Sequence, residues 1–328
     1  MSEQNIFDIQ GLKTYYPVTA GIFKRVVGHV KAVDGVDLQV RRGETVGIVG
    51  ESGCGKTTLG KTLMLLEKPT GGTVNFDDGK VTKDITKFSP KEEFEYHSKV
   101  QMVFQDPYSS LNPLKTIREA FDEPLRVHGI HSKADRLQVM ERMMGLVNMR
   151  AEHLARYPHE FSGGQRQRIC IARALCVNPS VVICDEPVSA LDVSIQAQVL
   201  NLMKDLQQEL HLTYLFIAHD LSVVQYMSDR IAVMYLGKIM EMCEAYELYR
   251  HPVHPYTQAL FSAIPIPSLK KRAKRIILQG DVPSPIRKPT GCGLSTRCDR
   301  CAKICREVDP PLTDVGGGHL VACHFAGK

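Results

Sequence analysis

With 328 residues, 43% of them apolar, the chain is long enough for one large or two modest buried cores. No apolar run approaches bilayer-spanning length, and the opening MSEQNIFDIQ lacks a basic stretch followed by an apolar one, so neither a membrane span nor an export leader is expected and the cytosol is the default compartment. A formal charge of +5 on scattered basic residues argues against nucleic acid as a partner, and ten cysteines, five of them between Cys292 and Cys323, point to metal rather than disulfides in such a compartment.

The first clear element is TVGIV at 45–49, a β-branched run that reads as a buried strand, with a helix expected over 58–66. Between them, residues 50–57 read GESGCGKT and match G-x-x-x-x-G-K-[ST] in the strand–loop–helix context the motif requires. Gly50, Gly53 and Gly55 let the backbone curl so that N–H groups point inward, and the helix start adds partial positive charge for phosphate oxygens. Lys56 is placed to reach the β and γ phosphates and Thr57 to offer its hydroxyl to Mg²⁺. Glu51, Ser52, Cys54 and Thr58 complete the candidate ATP-binding loop, in which Cys54 reads as a partly buried, inert thiol.

From about 106 to 180 the pattern turns helical, with Leu137, Met140, Met144 and Val147 on one face, which marks an inserted helical subdomain. Cys170, Cys176 and Cys184 read as small core residues. The VVIC strand at 181–184 ends in DEP, so Asp185 is placed to hold Mg²⁺ through water and Glu186 to orient or deprotonate the attacking water, a role worth a factor of about 10² to 10⁴. Ile195, Val199, Leu202, Leu206 and Leu210 share a helical face leading to the YLFIA strand at 214–218, which makes a strand–crossover–strand unit and hence a parallel α/β sheet; IAVMY at 231–235 adds another strand. After Arg250 the proline-rich HPVHPY and IPIPSLKKRAKR mark a boundary between residues 1–250 and a smaller unit over 251–328. The basic run Lys270, Lys271, Arg272, Lys274 and Arg275 reads as a solvated patch.

The stretch FSGGQRQR at 161–168 resembles the signature of ABC ATPases and stands where that family has it, ahead of the DEP strand. The resemblance implies a P-loop ABC ATPase core, with a parallel sheet, an antiparallel β subdomain and a helical subdomain, plus a small Cys-rich extension. It also implies that Gln105 in VFQDPYSSLNP is the catalytic Q-loop glutamine and a Mg²⁺ ligand beside Thr57 and Asp185, that residues 189–192 form a D-loop ending in Asp192, that His219 is the catalytic switch histidine, and that Tyr16 lies under adenine with Tyr15 as its rival. Ser162, Gly163 and Gly164, followed by Gln165, precede the apolar Ile169, Ile171 and Ala172, so they open a helix whose free amides could bind phosphate. One triphosphate cannot readily touch two such helix starts on separate subdomains of one chain. The family supplies the answer: two cassettes, a second copy or a paralogue, pair head to tail and share each nucleotide.

The tail, with HPVHPYTQALFSAIP at 251–265 and LQGDVPSPIRKPTGCGLSTRC after it, is similar to the C-terminal region of ATPase subunits of oligopeptide and dipeptide importers. That group implies ATP-driven uptake of di- or oligopeptides, two transmembrane permease subunits, an extracytoplasmic binding protein acting indirectly, and a seat on the cytoplasmic face of the inner membrane. Nickel or glutathione import within the group, or an exporter or non-transport ABC ATPase outside it, are the alternatives. Cys292, Cys298, Cys305 and Cys323, separated by five, six and seventeen residues, could close a zinc site or hold a 4Fe-4S cluster. They lack C-x₂-C knuckles, and importer subunits with this arrangement resemble iron–sulfur carriers, so the cluster is expected; Cys301 is an added thiol that could replace Cys298 or Cys305.

Overall fold

The computed structural model describes residues 4–21, 23–263 and 275–327. Strands β1 (Asn5–Ala20), β2 (Arg25–Arg41), β4 (Gly71–Asp77) and β5 (Thr82–Asp84) form an antiparallel sheet ordered β2-β1-β4-β5. The main sheet is built from β3 (Thr45–Val49), β6 (Val100–Val103), β7 (Val181–Asp185), β8 (Thr213–Ile217), β9 (Arg230–Tyr235), β10 (Lys238–Glu244), β11 (Thr313–Asp314) and β12 (Leu320–Val321). Its order is β11-β12-β10-β9-β3-β8-β7-β6, parallel from β9 to β6 and antiparallel beyond β9. Strands β3, β7 and β8 are buried along their whole length, which is why they read as unbroken apolar runs instead of alternating ones.

Helix α1 (Lys56–Leu63) lies between the two sheets, touching β1 and β2 on one side and β7 and β8 on the other. The approach is close at Gly60, where an added Cβ would stand 2.9 Å from Ile217 Cδ1. The sequence predicts this helix over 58–66; it starts earlier because left-handed Gly55 (φ 111°) is its cap, and it stops at Leu63 because Leu65 turns to φ 59°. After α2 (Pro90–Lys99) comes β6, which the sequence analysis does not foresee: VQMV is four residues long, carries a glutamine, and follows directly on a helix. Beyond it lie α3 (Pro107–Ser110), α4 (Ile117–Val127), α5 (Lys133–Leu146) and α6 (Gly163–Leu175), with no strand among the described residues before β7. The face predicted on α5 is inward: Met140, Met144 and Val147 are buried, and Leu137 packs against them. The predicted crossover is α7 (Val193–Leu210), joining the adjacent parallel strands β7 and β8 and burying Val199, Leu202 and Leu206. Helix α8 (Leu221–Met227) packs on β3 and β8, and α9 (Ala245–Arg250) packs on β9 and β10.

The chain after residue 250 carries α10 (Pro255–Ser262) and α11 (Lys303–Glu307) and joins the main sheet directly, since β12 pairs with β10 through Glu241↔Val321 and Met242↔Leu320. The anchor is the fully buried carboxylate of Glu241, which accepts the Val253 and His254 N–H groups at 2.7 and 3.0 Å and has His319 Nε2 at 2.7 Å. His254 in turn caps α10, its Nδ1 accepting the Tyr256 N–H at 3.1 Å, so HPVHPY is the segment that wraps one acid. In the basic run, Lys270, Lys271, Arg272 and Lys274 lie outside the described residues, and Arg275 is exposed. Glu241→Ala would strand several buried donors at once and is expected to lower unfolding free energy by about 2–4 kcal/mol, read as a shift of the denaturant midpoint at constant slope.

Candidate nucleotide-binding and catalytic site

Strand β3 delivers the chain to a loop in which backbone replaces side chain. A Cβ at Gly50 (φ 152°) would lie 2.1 Å from the Met234 carbonyl oxygen, and one at Gly55 would lie 2.0 Å from that of Ala32. Gly53 is also left-handed, at φ 77°, and the Gly237 N–H bonds the Cys54 carbonyl at 2.8 Å to pin the turn. The buried Lys56 ammonium curls back inside, donating to the Gly50 and Glu51 carbonyls at 2.8 and 3.2 Å. Helix α1 has no side chain bonding its first N–H groups and no acid in its first turn, so those amides remain available to an anion. Cys54 is buried, and burial raises its thiol pKa, in keeping with an inert residue.

Thr57 Oγ1 donates to Asp185 Oδ1 at 3.0 Å and joins the loop to the end of β7. Burial raises the Asp185 pKa; the Thr57 hydrogen bond opposes this, the neighbouring Glu186 adds to it, and Lys61 and Lys56 oppose it again. A hydroxyl and a carboxylate in contact beside a phosphate loop are the hard oxygen donors Mg²⁺ requires, and these two residues would hold it. The ion would offset charge on the β and γ oxygens.

Glu186 follows in a strained left-handed conformation (φ 48°), held by its N–H to the Ile217 carbonyl at 2.8 Å. For a non-glycine residue this costs roughly 1–3 kcal/mol and aims the side chain out of the strand direction. The aim matters: Gln105 Nε2 donates to Glu186 Oε2 at 2.9 Å, and His219 Nδ1 lies 3.0 Å from the same oxygen. All three residues proposed for catalysis therefore meet at one carboxylate oxygen, although they come from the ends of β6, β7 and β8.

The signature segment opens a different helix, α6. Ser162 caps α6 reciprocally: its Oγ accepts the Gln165 N–H at 3.4 Å, and Gln165 Oε1 accepts the Ser162 N–H at 3.0 Å. Gly164 packs so tightly on the first turn of α7 that a Cβ would stand 2.4 Å from Ile195 Cγ2, and Gly163 sits near Leu191. No hydrogen bond among the described residues joins 162–165 to 50–58. Asp192 is exposed at the start of α7, and its side chain makes no cap bond. Tyr16 faces Thr58 and Glu67 beside α1, whereas Tyr15 hydrogen-bonds Asp34, which Lys288 also reaches at 3.0 Å. Of the two tyrosines, Tyr16 is therefore the one beside the helix that follows the phosphate loop.

The cysteines proposed as metal ligands come together. Cys292, Cys298, Cys305 and Cys323 line one enclosed cavity of about 20 Å³ with His254 and His324. Gly291 permits this, because a Cβ there would lie 2.5 Å from the Cys305 carbonyl oxygen. Burial pushes the Cys292 thiol up to about 11, and its neighbours Cys305, Cys298 and Cys323 push the same way. Cys301 is half-buried and does not line the cavity. Among the described residues no group of three or more His, Cys, Asp or Glu is arranged to hold a metal ion, so the geometry supports neither the expected 4Fe-4S cluster nor the alternative zinc site at these thiols.

Two contacts from the tail reach the phosphate loop, and no pattern in the sequence points to either. Arg297 Nη1 and Nη2 grip the Glu51 carboxylate at 2.9 and 3.3 Å, and the Tyr256 hydroxyl accepts the Glu51 N–H at 2.8 Å. No local pattern could have announced a pair 246 positions apart.

A phosphate loop, an acidic strand end with a glutamine and a histidine on it, and a second glycine-rich helix start define an ABC-type ATPase. Residues 33–189 match the ABC transporter family, and residues 240–305 match the oligopeptide/dipeptide transporter C-terminal region. The chain is 50% identical over 327 residues to the oligopeptide transport ATP-binding protein AppF of Bacillus subtilis, spanning 99% of this chain and 98% of that one. It is 49% identical over 323 residues to the dipeptide transport ATP-binding protein DppF of Escherichia coli, spanning 98% and 94%. Among solved structures, the dimeric post-hydrolysis cassette MJ0796 bound to ADP and Pi superposes with a TM-score of 0.63 at 28% identity over 73% of this chain and 98% of that one. The cbiO1 subunit of the Clostridium perfringens cbiONQ complex gives 0.63 at 25% identity over 76% and 92%. The chain belongs to the ATP-binding subunits of the oligopeptide/dipeptide ABC transporters, and its activity is ATP hydrolysis coupled to transport.

Gly55→Ala would drive a methyl into the Ala32 carbonyl at a left-handed position. It is expected to weaken MgATP binding at least about tenfold with an unchanged far-ultraviolet circular dichroism spectrum; equal affinity would contradict the loop geometry.

Proposed function

We propose that this chain powers the uptake of di- or oligopeptides, working on the cytoplasmic face of the membrane beneath two transmembrane permease subunits. Residues 1–250 would serve as the cassette and 251–328 as the importer-type extension. The observation that carries the catalytic part is the meeting of Gln105 and His219 on Glu186 Oε2, next to the Thr57–Asp185 pair. In this reading Glu186 takes a proton from the attacking water, Gln105 reports the metal and γ-phosphate, and His219 holds the carboxylate and the transferred phosphoryl in place.

The signature serine makes no hydrogen bond to this site within the chain, and in this reading a second cassette supplies it, head to tail, either as a copy or as a paralogue. ATP then bridges the pair and hydrolysis releases it, and the nucleotide state sets the population of the closed form. The permease contact would lie on the helical subdomain, where Tyr108 and Leu114 stand exposed near Gln105 and a cavity of about 720 Å³ runs past Phe94, His128, Met143 and Val177. A peptide cargo is favoured over nickel or glutathione by the oligopeptide and dipeptide transport subunits at about half identity over almost the whole chain. No helix among the described residues is long and apolar enough to cross a membrane, so the permeases would be separate chains.

A 4Fe-4S cluster on Cys292, Cys298, Cys305 and Cys323 is supported by the resemblance of the tail to importer subunits and not by the geometry of the thiols. Anaerobically purified protein is then expected to contain about four iron atoms per chain; about one zinc and no iron would defeat this part of the reading.

Glu186→Gln is expected to keep MgATP binding, to lower kcat by a factor of about 10² to 10⁴, and to trap a closed pair of cassettes on size-exclusion chromatography. In vesicles carrying the permeases, the same variant is expected to abolish uptake of a labelled dipeptide. Turnover equal to that of the unsubstituted chain would remove Glu186 from the catalytic role.

A further inference from the structure

A glutamate is electrostatically out of place in a loop that must take a polyphosphate, since like charges within roughly a Debye length of ~8 Å repel. Glu51 is the second residue of that loop, and its own carbonyl holds the Lys56 ammonium at 3.2 Å. Its carboxylate does not stand alone. Arg297, 9% exposed at its side chain, meets it with both guanidinium nitrogens at 2.9 and 3.3 Å, a forked and charge-assisted contact. The same guanidinium reaches the Tyr235 hydroxyl at 3.3 Å, which ties it to the end of β9. On the backbone side, the Glu51 N–H is capped by the hydroxyl of buried Tyr256.

Arg297 and Tyr256 both belong to the chain beyond residue 250. Arg297 sits on the turn between Cys292 and Cys298, where the Leu294 carbonyl accepts the N–H groups of Arg297 and Cys298 at 2.8 and 2.9 Å. The fold of the cysteine segment therefore sets where the guanidinium lies.

We propose that the cysteine-rich extension is a working part of the ATP site: Arg297 is a positioning residue that neutralises Glu51 and, through the Glu51 backbone, seats Lys56 for phosphate binding. This rests on the assignment of residues 50–58 to ATP and goes beyond it, because it makes nucleotide affinity depend on a residue outside the cassette. Losing Arg297 leaves an unpaired carboxylate on the second residue of the loop that takes the phosphates. Removing that carboxylate as well should relieve the defect, whereas a merely structural strut would show no such relief.

The test is equilibrium binding of MgATP to the full-length chain, with steady-state ATPase kinetics. Arg297→Gln is expected to raise Kd and KM for MgATP about three- to tenfold, with kcat at saturating ATP within about twofold, because Glu186, Gln105 and His219 are untouched. Adding Glu51→Gln to Arg297→Gln is expected to return Kd to within about twofold of the unsubstituted chain. Arg297→Lys, which keeps the charge without the fork, is expected to fall between. An unchanged Kd in Arg297→Gln overturns the proposal, and so does a double variant as weak as the single one. Should Arg297→Gln fail to fold, Arg297→Lys decides: a Kd raised about twofold or more supports the forked contact, and an unchanged Kd overturns the proposal. Loss of all MgATP binding by the unsubstituted chain would strike the ATP assignment, while a wrong variant ratio strikes this proposal alone.

Discussion

The nucleotide site depends on backbone occupying space that no side chain could share. At Gly50 and Gly55 a single added carbon would stand within about 2.1 Å of a carbonyl oxygen, and both residues sit at positive φ. This closeness brings the Gly50 and Glu51 carbonyls around the Lys56 ammonium and leaves the first amides of α1 open to an anion. Around it, α1 is wedged between two sheets, so the loop cannot drift from the strand ends that carry Asp185 and Glu186. Precision at the phosphates comes from packing on both faces of one short helix.

The carboxylate proposed for catalysis is held differently. Glu186 is strained at its backbone and tethered at its side chain by residues from two neighbouring strand ends. Gln105 and His219 bond the same carboxylate oxygen, at 2.9 and 3.0 Å. Gln105 leads into α3, where the Ser110 carbonyl accepts from Arg173 of α6 at 2.7 Å and Tyr108 lies under the Arg166 guanidinium at 4.0 Å. The segment after Gln105, helix α3 and the signature helix α6 are therefore one packed unit.

Much of this was legible because phosphate chemistry imposes fixed local spacing. Residues 50–57, the Asp185–Glu186 pair and the 161–168 segment each announce themselves within a few positions, and the buried strands β3, β7 and β8 read as apolar runs. Strand β6 escaped because VQMV is short and polar in part, and its strand character comes from pairing with β7, not from its own composition. Glu241 escaped for the opposite reason: a buried acid looks like any surface acid until the amides of residues 253 and 254 are seen to close on it. Arg297 and Tyr256 reach Glu51 only through the tertiary fold, and Gly291 reveals its purpose only when the Cys305 carbonyl is found where its Cβ would be. Local chemistry was readable; neutralisation across distant segments was not.

The central claim is that one cassette holds half of each ATP site, with Lys56, Thr57, Asp185 and Glu186 on one side and a signature serine equivalent to Ser162 brought by another. It is tested most directly by a structure of the complete transporter trapped with MgATP in the Glu186→Gln background. The signature serine of the facing cassette is predicted to lie within hydrogen-bonding distance, about 3 Å, of the γ-phosphate that Lys56 holds. A γ-phosphate contacted from one cassette only, with the signature segment far away in the loaded complex, would contradict it.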